Sequence, residues 1–234
     1  MNLSRLINAS VRCVALLACA LAASAQEGTI VGTVLDPSGL TVLALSACDP
    51  TEMYQRMMGD DFARNRVETE ITDMKILLDD GTELPAEVVL RDKDLDLAFI
   101  RPKTKPASPM ACVDLTKTSP AQVLDQVVTL NRLNSAAGRA YSASVERISA
   151  VIQKPRTFYI PDSTMTTTGL GCPAFAPDGK IVGLVVMRAV SGKGGSSRNY
   201  RQNLTTIILR AEDILKAARQ APAAKSPEPK GAGS

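Results

Sequence analysis

The chain contains no histidine in 234 residues. That absence excludes a Ser-His-Asp triad, a Cys-His dyad and any histidine-bearing zinc site, since no other side chain pairs a near-neutral pKa with two ring nitrogens. Tryptophan is also missing, and aromatic residues make up only 3% of the chain. Its core must therefore be built from Val, Ile, Leu and Ala. Charge of either sign is scarce in excess. The formal net charge is +3, and losing Arg5 and Arg12 with an export signal leaves 25 basic against 24 acidic residues. A near-neutral surface argues against nucleic acid as a partner. Long hydrophobic runs are lacking after the first 25 residues, so no integral membrane segment is expected beyond them.

Those first 25 residues read as a secretory signal. Arg5 and Arg12 give the positive start, residues 14–23 the apolar run, and Ala23-Ser24-Ala25 a cleavage site before Gln26. A secreted or periplasmic destination follows. The Leu16-Leu17-Ala18-Cys19 run also offers a lipoprotein-type alternative at Cys19. Cleavage after Ala25 leaves 209 of the 234 residues and three cysteines, Cys48, Cys112 and Cys172. Three thiols allow at most one internal disulfide, and their spacing fits no metal-ligand pattern. No metal or cofactor is implied.

What is present is a series of short strands between turn signals. Strands are expected at 28–35, 40–45, 71–78, 84–91, 94–100, 122–130, 139–152, 156–160 and 203–209, with two more flanking Pro177-Asp178-Gly179. Asp49-Pro50-Thr51-Glu52 reads as the start of a helix reaching Gly59, and residues 60–70 as a charged loop. Residues 211–219 read as a terminal helix, and 220–234 as a disordered tail. Many short strands with little helix indicate an all-β sandwich or barrel.

Three separated stretches, in order, resemble the trypsin-like serine proteases, especially their HtrA-like bacterial branch. Residues 32–48, GTVLDPSGLTVLALSAC, resemble the family segment G-x-x-L-T-x-x-H-V, whose histidine is the catalytic base. Residues 79–101, DDGTELPAEVVLRDKDLDLAFIR, resemble the stretch that ends D-L-A-L-L and carries the triad aspartate. Residues 168–183 resemble the nucleophile frame G-N-S-G-G-P-L-F-x-x-x-G-x-V-I-G.

The resemblance covers about residues 28–216. It implies two six-stranded β-barrels, at about 26–110 and 111–209, with the short helix after the second strand and the C-terminal helix closing a domain at 26–219. It also implies the site. The triad positions fall on Ser46 (Ala47 in an alternative register), Asp96 and Leu170, so no catalytic set is intact. The old oxyanion turn falls on Thr168, Gly169, Leu170, Gly171 and Cys172, with Leu170 offering an apolar group to the cleft. The family has glycine where Thr168 stands, and a β-carbon there opposes the oxyanion geometry.

Without His, a replacement nucleophile would have to be Cys172, or a serine (Ser46 or Ser163) paired with Lys154 or Lys180. No spacing supports either. Arg188, Lys193, Arg198, Tyr200 and Arg201 cluster beside a Gly/Ser loop, as a solvated loop or an anion contact. The expectation is an exported pseudoprotease that binds protein or peptide. The alternatives are an enzyme with a non-standard nucleophile and a purely structural domain.

Overall fold

The computed structural model describes residues 8–19, 22–51, 68–162, 169–189 and 204–222. Its twelve strands are β1 (Asn8–Cys19), β2 (Ala22–Val34), β3 (Thr41–Ala44), β4 (Glu68–Leu77), β5 (Glu83–Asp92), β6 (Leu97–Pro102), β7 (Gln126–Arg132), β8 (Tyr141–Ile152), β9 (Phe158–Pro161), β10 (Pro173–Phe175), β11 (Ile181–Ala189) and β12 (Leu204–Arg210). They close into two barrels, ordered β1-β2-β3-β6-β5-β4 and β10-β11-β12-β9-β8-β7. A four-residue helix, α1 (Leu45–Cys48), follows β3, and α2 (Ala211–Ala218) follows β12. The double six-stranded barrel is the architecture that the resemblance implies.

Period-two alternation explains why β3 and β6 read as unbroken apolar runs. In β6, Ala98 and Ile100 belong to the first barrel's own core, with Leu43, Ile76 and Val34. Leu97 and Phe99 point the other way, into a larger core that also holds Val127, Leu184, Val185 and Ile208 of the second barrel. Strand β3 divides likewise, Leu43 to one core and Val42 and Ala44 to the other. Strands with two buried faces need no polar alternation. Both parities being buried fixes how the barrels meet, since a one-residue slip would exchange the two cores.

Turn chemistry sets the strand ends. The Asp36 carboxylate accepts from the Ser38 and Leu40 N–H groups at 2.8 and 3.1 Å, and Arg101 approaches its other oxygen at 3.3 Å. Burial opposes ionisation at Asp36. The Ser38 and Leu40 hydrogen bonds and the Arg101 charge outweigh it and hold the carboxyl below its ordinary range. At the Pro177-Asp178-Gly179 turn, Gly179 has φ +83° and closes on the Ala176 carbonyl at 2.9 Å.

Several elements differ from the sequence expectation. The helix begins at Leu45, inside the stretch expected as strand, because the Leu45 N–H turns to the Asp96 carbonyl at 2.9 Å. Asp49 still accepts from the Thr51 N–H at 3.3 Å, the expected capping contact, and Thr51 is helical. The rest of that expected helix, to Gly59, lies outside the described residues. So do the loop at 60–67, Ser163 and Thr168, the basic cluster from Lys193 to Arg201, and the tail from 223 onward. Glu68, Thr69 and Glu70, expected in the loop, belong to β4. The tail's first residues are engaged, as Arg101 donates to the Pro222 carbonyl at 3.0 Å. Residues 94–96, expected in a strand, form a turn instead, because Asp92 accepts from the Asp94 and Leu95 N–H groups.

The N-terminal stretch differs most. Residues 8–19, within the segment that reads as an export signal, form β1. Its register runs from Asn8↔Thr33 to Cys19↔Ala22 on one edge, and it pairs with residues 68–77 of β4 on the other. The first barrel therefore begins before residue 26.

Candidate functional site

A cavity of about 340 Å³ lies where the two barrels face each other. Helix α1 contributes Leu45 and Ser46, and the β5–β6 turn contributes residues 93–96. The second barrel adds Arg156 and Phe158, the end of β11, and part of β12. The volume is at the small end of ligand-binding clefts, which run to about 300–1,000 Å³.

Asp96 organises the cavity floor. It has φ +57°, a left-handed conformation that aspartate tolerates better than most residues. One carboxylate oxygen accepts from the Ser46 N–H at 2.7 Å, and the other accepts from the Ser46 hydroxyl at 2.8 Å. The second oxygen also accepts from the Met187 N–H of β11 at 2.9 Å. Asp96 thus ties α1 of the first barrel to β11 of the second. Ser46 and Asp96, which the sequence resemblance placed as partners, meet as a hydroxyl donor and a carboxylate. Ala47 is half-buried and packs against the larger core.

The turn that the resemblance aligns with the family's nucleophile does something different. Leu170 is 3% exposed and belongs to the shared core, and Cys172 is fully buried. Neither lines the cavity, nor do Gly169 and Gly171. Leu170 was expected to present an apolar group to the cleft; it is turned inward instead. The reason is the tight docking of this turn onto β2. The Thr33 hydroxyl donates to the Gly171 carbonyl at 2.9 Å, and the Gly171 N–H donates to the Val185 carbonyl at 2.8 Å. Gly171 has φ +85°, and a β-carbon on it would stand 2.3 Å from the Val31 carbonyl oxygen. Only glycine fits there.

The candidate replacement nucleophiles fare poorly. Burial pushes the Cys172 thiol up to about 12, with the Glu146 charge adding to it. A thiol so placed stays protonated and unreactive at neutral pH. Lys180 is paired with Asp178 at 2.8 Å in an exposed turn and does not line the cavity. Lys154 is exposed and does not line the cavity. No disulfide joins Cys48, Cys112 and Cys172 to one another. Among the described residues no cluster of three or more Cys, Asp or Glu could hold a metal ion. No described helix is long and apolar enough to cross a membrane.

Sequence reasoning missed much of the cavity wall. Phe158, Val186, Ile207 and Leu209 form an apolar face, each 5% exposed or less. Arg188 lies over Phe158, its guanidinium carbon 4.9 Å from the ring centroid. Arg188 stood in the basic cluster noted in the sequence, but nothing along the chain joins it to Arg156 or Phe158. Their meeting depends on β12, which pairs with β11 and with β9.

A fold of two facing six-stranded barrels with a cleft between them defines the trypsin-like peptidase class. A family model described as a trypsin-like peptidase domain matches residues 31–184, and the chain belongs to that family. Among solved structures it is similar to the MamO protease domain from Magnetospirillum magneticum in its apo form. The identity is 15%, the match covers 87% of this chain and 94% of that one, and the TM-score is 0.53. At that identity the likeness speaks to fold. No curated protein matches the chain.

Proposed function

We propose that this protein is an exported, catalytically inactive trypsin-like protease homologue, of HtrA-like type, that binds protein or peptide in the cleft between its barrels. The observation that carries the proposal is the state of Asp96. In a working triad the aspartate orients a histidine that moves the proton. Here both Asp96 oxygens accept hydrogen bonds from Ser46, which stands where the resemblance puts that histidine. A serine hydroxyl has no proton affinity with which to activate a second nucleophile. The nucleophile position, Leu170, carries no reactive group and faces the core. An intact cavity with an apolar wall supports a binding role over a vestigial groove. Among the described residues no feature favours the alternative of a His-free nucleophile.

The test is incubation of the purified protein with unfolded casein and with a fluorophosphonate probe, beside a Leu170→Ser plus Ser46→His variant. The natural protein is expected neither to cleave nor to label. Cleavage that survives repurification would sink the inactive reading. Labelling of the double variant alone would support the three triad assignments.

Export rests on residues 1–25, and it has a structural consequence. Cleavage after Ala25 would remove β1 and leave the outer edges of β2 and β4 unpaired. Unpaired strand edges invite a new strand partner. N-terminal sequencing of protein recovered from an expressing bacterium decides between the two states. A chain beginning at Gln26 supports export with cleavage. Recovery with Met1 retained in the cytoplasm overturns it.

A further inference from the structure

Two guanidinium groups face the cavity without a carboxylate to meet them. Arg188 leaves the end of β11 and rests against the Phe158 ring. Arg156 stands two residues before Phe158 and lines the same cavity. Both are half-buried, and neither pairs with an acid among the described residues. Two of the three nearby acids are committed elsewhere. Asp96 accepts from Ser46 and Met187, and Asp49 pairs with Arg91 at 3.8 Å. Asp94 is exposed at the rim.

Partly desolvated arginines beside an apolar wall are poised for an anion, because each attraction is less screened there than in open water. Arg188 is also pre-oriented by its ring contact, which reduces the ordering cost of binding. From this we infer that the cleft selects peptide segments in which an apolar side chain lies next to an acidic one. The apolar group packs on Phe158 and Leu209, and the carboxylate meets Arg156 and Arg188. This inference rests on the peptide-binding reading and names what that site prefers.

Fluorescence polarisation with end-capped, labelled heptapeptides tests it, their central pair being Leu-Asp, Leu-Asn or Leu-Lys. The Leu-Asp peptide is expected to bind about tenfold more tightly than Leu-Asn at low salt, with Leu-Lys weakest. High salt is expected to shrink that difference. Arg156→Gln plus Arg188→Gln should erase the preference for Leu-Asp over Leu-Asn. Arg156→Lys plus Arg188→Lys should keep part of it, with circular dichroism confirming the fold of each variant. Equal affinity for Leu-Asp and Leu-Asn, or a preference that survives the double Gln variant, overturns the inference and leaves peptide binding standing. Failure of every peptide to bind the natural protein removes the binding reading itself and this inference with it.

Discussion

Replacing Asp96 tests whether this carboxylate is a relic or a structural tie. In Asp96→Ala the N–H groups of Ser46 and Met187 lose an acceptor that now sits at 2.7 and 2.9 Å. A buried donor left unpaired costs about 1–3 kcal/mol, and the half-buried cleft floor places each near the lower end. Alanine at φ +57° adds about 1 kcal/mol that aspartate largely avoids. The sum is about 3 kcal/mol. For a chain of this size that lowers Tm by about 6–12 °C. Asp96→Asn keeps an oxygen for the Ser46 N–H but turns an amide donor toward Met187, so its loss should be about half as large. Ser46→Ala removes only the hydroxyl and should cost about 1 kcal/mol. Far-UV circular dichroism melts of the three variants rank them. A Tm for Asp96→Ala within about 1 °C of the natural protein would refute the tie.

Gly171→Ala should prevent normal docking of the two barrels, since its β-carbon meets the Val31 carbonyl at 2.3 Å. Gly179→Ala, with an equally positive φ but open space around it, should cost only about 1–2 kcal/mol; thermal melts compare the pair. Iodoacetamide at mildly alkaline pH should modify Cys112, which is exposed, before Cys48 and Cys172, which are buried, with mass spectrometry locating the adducts. Fast modification of Cys172 would contradict its burial.

Tyr141 bridges the barrels by donating to Asp79, which Arg132 also approaches at 3.2 Å. Burial, then the Asp79 hydrogen bond and charge, push the Tyr141 phenol up to about 12. Its neutral form is thus favoured in the folded state. The stability it contributes is present below the ordinary tyrosine pKa of 10.0 and is lost as pH rises from there toward about 12. Tyr141→Phe should flatten that part of the alkaline stability profile. An unchanged profile would rule the bridge out.

The sequence by itself determined the class of fold and the loss of the triad. Period-two runs, Asp-Gly and Pro-Asp-Gly turns and scarce helix signals are local properties. They place most of the observed strands before any tertiary contact is known, as at β5 and β8. The missing histidine needs no structure to interpret. The sequence also brought Ser46 and Asp96 forward as partners, through family resemblance, although 50 residues separate them.

Only the tertiary structure decided what those residues do. Helix α1 starts at Leu45 because the Asp96 carbonyl captures its N–H, a contact no local propensity encodes. Leu170 faces the core because the turn around Gly171 is pressed onto the β2 backbone, and that approach distance is not written in the turn's own residues. The arginine-lined wall exists because β12 brings β9 beside β11. The apolar stretch near the N-terminus shows the limit most clearly. Hydropathy alone cannot tell a segment bound for export from a barrel strand, because both are short, apolar and rich in small residues. Backbone pairing adds what hydropathy lacks: in the uncleaved chain β1 finds partners on both edges, and such partners are a property of the whole barrel.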